Sequence, residues 1–289
     1  VGPGGTADVG VLNPAQFCGD NPQIATTCFQ GGSAAADGPA VIDFVYEAGT
    51  TSTTSNDDLA LTPHPSRATD DQVGPVRGLA YHRDADVIFA AAYAKRHTAY
   101  PGASAGSPND DGPDTIYLVP RDGSAPTPFV TIEAGDDNHD YTDLIADTAF
   151  WGDVGRTAFG DIDLSEDETI LYAANMFDKL IYAIPVDDSG AVPTAGTPTT
   201  IDLAALTSID TDCGGGTWVP GAVKANDGLV YLSATCIADG GGGAITDLEA
   251  FVYAYDPDGG TTTEVSNLPL DYEREWVSRS GTAIAEAEY

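Results

Sequence analysis

Apolar and polar positions alternate in short runs along most of the chain, and one arrangement of these runs occurs three times. The repeated segments cover 78–93, 161–176 and 220–235 and align without a gap. In each, a short strand leads to an acidic or Asn-containing turn, and a second strand then begins with two aliphatic residues and an aromatic one. A third strand and a more polar fourth strand follow every time, and helical periodicity is almost missing. This pattern predicts an all-β protein built from four-stranded antiparallel units, as in the blades of a β-propeller.

The predicted units lie at about 76–132, 157–203 and 219–267, whereas a closed propeller needs about four to eight blades. We therefore expect a propeller that is incomplete in this chain, with three full units plus flanking strands within 40–289. Residues 1–39 are rich in Gly, Ala, Pro and Thr and are predicted to form an irregular N-terminal arm with one disulfide. Three explanations of the missing blades stay open: another polypeptide completes the ring, the chain is part of a longer one, or the units form an open assembly. Because unpaired strand edges are templates for pairing, we predict another protein chain or a second copy along the edge.

Charge narrows the choice of partners. Eleven Lys and Arg stand against 45 Asp and Glu, which gives a formal net charge of −34. Nucleic acid and anionic membranes are therefore excluded as favourable partners, and no apolar run approaches the roughly 18 residues of a membrane span. The acidity is either a solvation device of an extracellular or salt-adapted protein, or a requirement for metal.

The four cysteines form an even number without the spacing of a zinc site. We expect two disulfides in an oxidising compartment: Cys18 with Cys28 in a small loop, and Cys213 with Cys236. The second pair fits the propeller, since a connection between blades and the end of a strand would place both cysteines on one face. The chain opens at Val1 and not at methionine, which we expect of a mature form without its export signal or of a trimmed chain.

The segment "AAYAKRH" puts Lys95, Arg96 and His97 side by side in a chain that is poor in cations. It ends the second strand of the first unit, and the equivalent turn of the second unit holds Asn175 and Asp178. Both turns are expected on the face that carries the long connections 133–156 and 206–219. Either the cations form exposed ion pairs with Asp136, Asp137, Asp140 or Asp178, or they anchor an acidic ligand such as a uronate sugar, or His97 acts as a general base. Trp151, near a blade boundary, is expected to be a packing residue or, if it is exposed, to stack on a sugar.

Calcium is the metal that these acidic loops favour, because it binds six to eight oxygen ligands. The candidate ligands are Asp136, Asp137 and Asp140 in "GDDNHDYTD", and a second candidate loop is "SPNDDGPD" at 107–114. Neither loop has the distal Glu of an EF-hand, so solvated acidic turns are the alternative for both.

Three stretches, "PAQFCGDNPQIATTCF", "GPVRGLAYHRDADVIFAAAYAKRH" and "GDIDLSEDETILYAANMFDKLIYAI", carry a resemblance to a known family. The chain resembles the propeller-type N-terminal regions of bacterial surface proteins with SdrD B-like (Cna-B-type) repeats. The resemblance implies secretion, an extracellular or cell-surface location and no catalytic set. We accordingly expect a non-enzymatic surface or matrix protein acting in adhesion, display or assembly, with carbohydrate as a further partner. The alternative is a calcium-assisted propeller hydrolase or lyase acting on a lactone or polysaccharide.

Overall fold

The computed structural model describes residues 22–32, 38–45, 65–109, 111–213, 217–237, 248–270, 276–277 and 283–284. Its first sheet, here called the N-sheet, contains β1 (Gln23–Thr27), β2 (Pro39–Val45) and β3 (Ser66–Thr69) in the order β1-β2-β3. Strand β1 lies within the stretch predicted to be an irregular arm. The short helix α1 (Asp70–Val73) leads from the N-sheet to the next sheet.

The first blade is an antiparallel meander of β4 (Val76–His82), β5 (Val87–Ala92), β6 (Thr115–Pro120) and β7 (Thr127–Thr131). The second blade contains β8 (Phe159–Leu164), β9 (Ile170–Asn175) and β10 (Ile181–Asp187). Its outermost position is shared by β11 (Thr194–Ala195) and β12 (Thr199–Ile201), which pair with opposite ends of β10.

Helices α2 (Leu203–Leu206) and α3 (Ile209–Asp212) lead to the third blade. That blade contains β13 (Thr217–Asn226), β14 (Leu229–Ile237), β15 (Glu249–Asp256) and β16 (Thr261–Pro269) in sequence order. A separate hairpin pairs β17 (Trp276–Val277) with β18 (Ala283–Ile284).

The sheets stack face to face around their first strands, and each junction has its own apolar core. Phe89, Ile162 and Ile184 lie in the core between the first and second blades. Tyr172, Leu232 and Phe251 lie in the core between the second and third blades. Since β4 packs along β8 and β8 along β13, the innermost strands form one continuous inner wall. The prediction of an all-β propeller with four-stranded antiparallel blades, incomplete in this chain, is confirmed.

The N-sheet is held to the first blade by a core that includes Val41 and Val119 and by a buried carboxylate. Asp43 is 2% exposed, and its two oxygens lie 2.8 Å from Arg67 Nε and 3.1 Å from Arg121 Nε. Two guanidinium groups, one from the N-sheet and one from the end of β6, thus share one acid. This arrangement compensates the desolvation of the carboxylate and joins the two sheets.

Cys213, after α3, is bonded to Cys236, near the end of β14, with the Cα atoms 5.2 Å apart. This predicted disulfide is confirmed. The other predicted pair cannot be followed, because Cys18 lies outside the described residues. The Cys28 side chain is partly buried, and burial raises the pKa of its thiol.

Candidate binding site

A cavity of about 600 Å³ lies where the chain leaves β5 and where the connection between the first two blades ends. It is lined by Tyr93, Ala94, Lys95, Arg96, His97, Trp151, Gly152, Val154 and Arg156. A β-bridge between Tyr93 and Ala158 holds its two sides together. The volume is within the range of small-ligand sites, and we call the cavity the cationic pocket.

Arg96 is fixed in the cationic pocket without a carboxylate partner. Its Nη2 donates to Ala146 O at 2.5 Å and its Nε donates to Asp147 O at 3.3 Å. The guanidinium carbon lies 4.3 Å from the centre of the Trp151 ring, and Trp151 is 59% exposed. Cation–π contact and carbonyl bonds orient the guanidinium but leave its positive charge uncompensated.

Lys95 also has an aromatic contact, with Nζ 5.5 Å from the centre of the Phe29 ring. Across the described ranges, no ion pair joins Lys95 or Arg96 to an Asp or Glu. The expected ion pairs with Asp136, Asp137, Asp140 or Asp178 are therefore not formed there. The structure thus gathers cations in one pocket while the acids nearby have other partners.

The acidic side chains of the connection 133–156 accept hydrogen bonds from groups around them and hold the loop in shape. Asp147 is fully buried and accepts hydrogen bonds from His97 N at 2.9 Å and from Asp140 N at 3.0 Å. One Asp137 oxygen accepts from Tyr141 Oη at 2.7 Å and from Asn109 N at 2.9 Å. Burial, followed by the hydrogen bond to Asp137, raises the pKa of Tyr141. These carboxylates replace the regular backbone pairing that a loop lacks.

A buried histidine completes this support. His139 Nδ1 lies 2.8 Å from Asp137 Oδ1, and its Nε2 lies 3.1 Å from Lys95 O. The ring stacks on Phe150, with the centroids 3.6 Å apart. Phe150 also packs in a buried cluster with Ala94, which lines the cationic pocket, so the stack supports the pocket from behind.

His97 adopts a left-handed backbone conformation, with φ of 67°. Its Nδ1 lies 2.9 Å from Leu144 O. Because a carbonyl oxygen only accepts, Nδ1 carries the proton in the neutral ring and Nε2 keeps its lone pair. The pocket therefore contains a potential proton acceptor next to its cations.

The predicted calcium ligands are not equivalent. Asp137 is buried among the donors described above, Asp136 is exposed, and Asp140 accepts from Thr142 N at 3.0 Å and from the Thr142 hydroxyl at 2.6 Å. The hydrogen bonds from Thr142 lower the pKa of Asp140. Over the ranges that the structure describes, no three His, Cys, Asp or Glu side chains are arranged to hold a metal ion. Calcium stays a prediction.

Asn175 and Asp178 lie outside the cationic pocket. Asn175 is fully buried, donates to Glu133 O at 2.7 Å and accepts from Phe177 N at 3.0 Å. Asp178 is exposed and accepts from Leu180 N at 3.0 Å and from Tyr182 Oη at 2.5 Å. Both side chains shape the turn after β9. The pocket instead includes Trp151, for which packing or sugar stacking was expected, and Arg156, which was not predicted as a site residue.

The fold and the site define an incomplete all-β propeller with a cationic pocket on the connection between two blades. No protein-family model matches the chain. The resemblance to the propeller-type regions of SdrD B-like repeat proteins therefore stays a prediction.

Two curated relatives, both from Dictyostelium discoideum, are similar along almost the whole chain. Colossin-A is 25% identical over 286 residues, which is 94% of this chain and 2% of Colossin-A. Colossin-B is 23% identical over 272 residues, which is 92% of this chain and 6% of Colossin-B. The chain thus spans only a few per cent of the length of these relatives.

Among solved structures, similarity extends to the periplasmic gluconolactonase of Pseudomonas aeruginosa. It has 11% identity and a TM-score of 0.40, covering 92% of this chain and 59% of that one. A Lactobacillus plantarum protein has 11% identity and a TM-score of 0.40, covering 91% of this chain and 74% of that one. The helices in the described ranges are too short or too polar to cross a membrane.

Proposed function

We propose that this is an extracellular propeller that binds a carboxylate-bearing sugar in the cationic pocket and acts in adhesion or display. The observation that carries the proposal is the placement of Lys95 and Arg96 beside an exposed tryptophan, without any ion pair to a carboxylate across the described ranges. A guanidinium recognises a carboxylate through charge-assisted hydrogen bonds, and an indole ring packs on the apolar face of a sugar.

The overall charge supports a small ligand and disfavours a polymer. A chain with a net charge of −34 repels a long polyanion over most of its surface. A single uronate at the end of an oligosaccharide needs only the pocket. The disulfide supports an oxidising compartment, which agrees with an extracellular location.

The test is calorimetric titration with a glucuronate-terminated disaccharide and with its neutral glucose counterpart. We expect binding of the uronate only, weakened by added salt, since the contact is charged. Arg96→Gln and Trp151→Ala should each weaken binding about tenfold, a loss of about 1.4 kcal/mol. Circular dichroism checks that each variant folds.

The matched control is Lys179→Gln. Lys179 lies in the equivalent turn of the second blade, with Nζ 5.7 Å from the centre of the Trp218 ring, and does not line the cationic pocket. This substitution should leave affinity unchanged. Equal affinity for the neutral sugar, or an equal loss in Lys179→Gln, would contradict the proposal.

A second candidate is an enzyme acting on a lactone or polysaccharide. It is favoured by the hydrogen bond to Leu144 O, which keeps the proton of the neutral His97 ring on Nδ1 and leaves Nε2 as a proton acceptor. Cations that bind a uronate carboxylate would acidify the adjacent C–H, and a base at Nε2 would remove that proton. The C–O bond to the neighbouring sugar would then break, so that the uronate keeps a C=C bond and the leaving oxygen takes up the proton from the imidazolium. Turnover of a uronate oligosaccharide that disappears in His97→Gln, while binding persists, would favour this candidate. Binding without turnover would refute it.

A further inference from the structure

Tyr93 connects the cationic pocket, which it lines, with the first residues of β4. Its backbone is fixed by three contacts. Tyr93 N donates to Pro75 O at 2.9 Å, and its carbonyl oxygen accepts from the Tyr100 hydroxyl at 3.4 Å. The β-bridge to Ala158 holds it against the second blade. The Tyr93 ring is therefore a fixed part of the pocket border.

Arg77 of β4 contacts the Tyr93 ring as Arg96 contacts the Trp151 ring. Its guanidinium carbon lies 5.1 Å from the centre of the Tyr93 ring, and its Nη1 donates to the Tyr93 hydroxyl at 3.3 Å. Arg77 is exposed, and among the residues that the structure describes it forms no ion pair with a carboxylate. An aromatic ring thus orients this side chain without compensating its charge.

Asp161 of β8 interacts with the charge of Arg77, but the two side chains do not form an ion pair. Asp161 Oδ2 accepts instead from Val223 N at 3.4 Å. Burial raises the pKa of Asp161, and the attraction of Arg77, which acts in the opposite direction, is too small to reverse this rise. A close pair with a guanidinium would lower the pKa of the acid. Arg77 therefore stays open to a ligand.

Phe29 and Lys95 extend this group. The Phe29 ring is 40% exposed, and its centre lies 6.0 Å from the centre of the Tyr93 ring. The contact of Lys95 Nζ with the Phe29 ring brings a second cation to the same group. We call the four residues Phe29, Arg77, Tyr93 and Lys95 the tyrosine subsite.

We propose that the tyrosine subsite binds a second acidic sugar, so that the ligand is a short oligosaccharide with carboxylates on two adjacent sugars. The inference rests on the proposed function, because it extends the uronate site of the cationic pocket. Both places combine an aromatic ring with a guanidinium that has no carboxylate partner among the described residues. Such a ring packs on the C–H face of a sugar, and the guanidinium binds its carboxylate. Since Tyr93 lines the pocket and contacts Arg77, the two places adjoin.

The charges of the two places agree with a ligand that carries two carboxylates. Arg77, Lys95 and Arg96 supply three positive charges, none of which is in an ion pair within the described ranges. Two carboxylates therefore leave the occupied site without excess negative charge. A longer polyanion would extend over the rest of a chain whose net charge is −34.

The test is calorimetric titration of the full chain with a disaccharide of two linked glucuronates and with the disaccharide in which only the terminal sugar is glucuronate. We expect the first to bind about tenfold more tightly, because it makes one more charge-assisted contact. A gain of about twofold or less, which the choice between two uronates gives by itself, would overturn the subsite and leave the proposed function standing. Binding of neither disaccharide would overturn both.

The substitution Arg77→Gln tests the assignment of the gain. The ratio of the two affinities should fall to about two or less, whereas a merely structural role of Arg77 would lower both affinities and keep the ratio. Arg83→Gln is the matched control, since Arg83 is an exposed arginine of the same blade that pairs with Glu168 and does not line the cationic pocket. Its ratio should stay at about ten. An unchanged ratio in Arg77→Gln would refute the role of Arg77, and equally tight binding of a dipeptide of two glutamates would refute a sugar as the ligand.

Discussion

Asp70 is predicted to destabilise the protein at neutral pH, and Asp70→Asn should therefore stabilise it. The side chain is 1% exposed at the start of α1, and neither carboxylate oxygen has a hydrogen-bond partner. Burial, with a smaller contribution from the Asp71 charge, raises the pKa of Asp70 from 3.8 to about 6. An ionised carboxylate without donors is costly to bury, so the folded state favours the protonated form.

The sign and size follow from linkage. In the unfolded chain Asp70 releases its proton near pH 3.8, and in the folded protein near pH 6. Between these two pH values the folded state holds more protons than the unfolded state, so the free energy of unfolding falls as the pH rises. The full penalty is present above pH 6. A shift of about two pKa units corresponds to about 3 kcal/mol. The Asn amide also lacks partners at this site, so the net gain expected at pH 7.5 is about 2 kcal/mol.

Urea unfolding of wild type and Asp70→Asn at pH 4 and pH 7.5 measures this gain. Asn should give little or no advantage at pH 4 and its full advantage at pH 7.5, with similar denaturant slopes. Asp71→Asn is the matched control, because Asp71 is exposed and its replacement should change stability by less than about 0.5 kcal/mol. A difference between wild type and Asp70→Asn that is constant across pH would refute the reasoning.

Two further predictions concern the blade junctions. Removing the Cys213–Cys236 bond, which closes a separation of 23 residues, should lower the free energy of unfolding by about 3 kcal/mol. Urea unfolding of the Cys213→Ser/Cys236→Ser variant against wild type measures this loss, and equal stability would contradict the prediction. Gly160→Ala should lower the free energy of unfolding by about 1–3 kcal/mol, because its Cβ would lie 2.4 Å from Gly221 O. Gly152→Ala, whose Cβ would meet open space, should be nearly neutral in the same assay. Equal effects of the two substitutions would show that the inner strands tolerate a side chain.

The blades could be predicted from the sequence because their second strands are central and buried. Val87-Ile88-Phe89 and Ile170-Leu171-Tyr172 begin strands packed from both sides, which requires consecutive apolar residues. Strand β1 was missed for the opposite reason. Its sequence QIATT is largely exposed and is ordered by pairing with β2, so its own pattern has no strand signal.

The site was predicted only in part, because its walls come from distant segments. Lys95, Arg96 and His97 stand out as a cluster of cations in an acidic chain. Trp151 and Arg156 follow more than 50 residues later in a connection without periodicity, so no local pattern links them to the cluster. Composition also cannot distinguish a carboxylate that binds a ligand from one that accepts backbone hydrogen bonds. Asp137 and Asp147 are of the second kind.

That distinction explains how a strongly acidic chain maintains a positive pocket. The connection between the first two blades lacks regular pairing, and its buried carboxylates satisfy backbone N–H groups and the His139 ring. These carboxylates therefore interact with groups of the loop, while Arg96 donates to the carbonyl oxygens of Ala146 and Asp147. A carbonyl orients a guanidinium without neutralising it, so the charge stays available to a ligand. The acids of this loop thus build the cationic pocket, and an anionic ligand can supply the carboxylate that the loop does not.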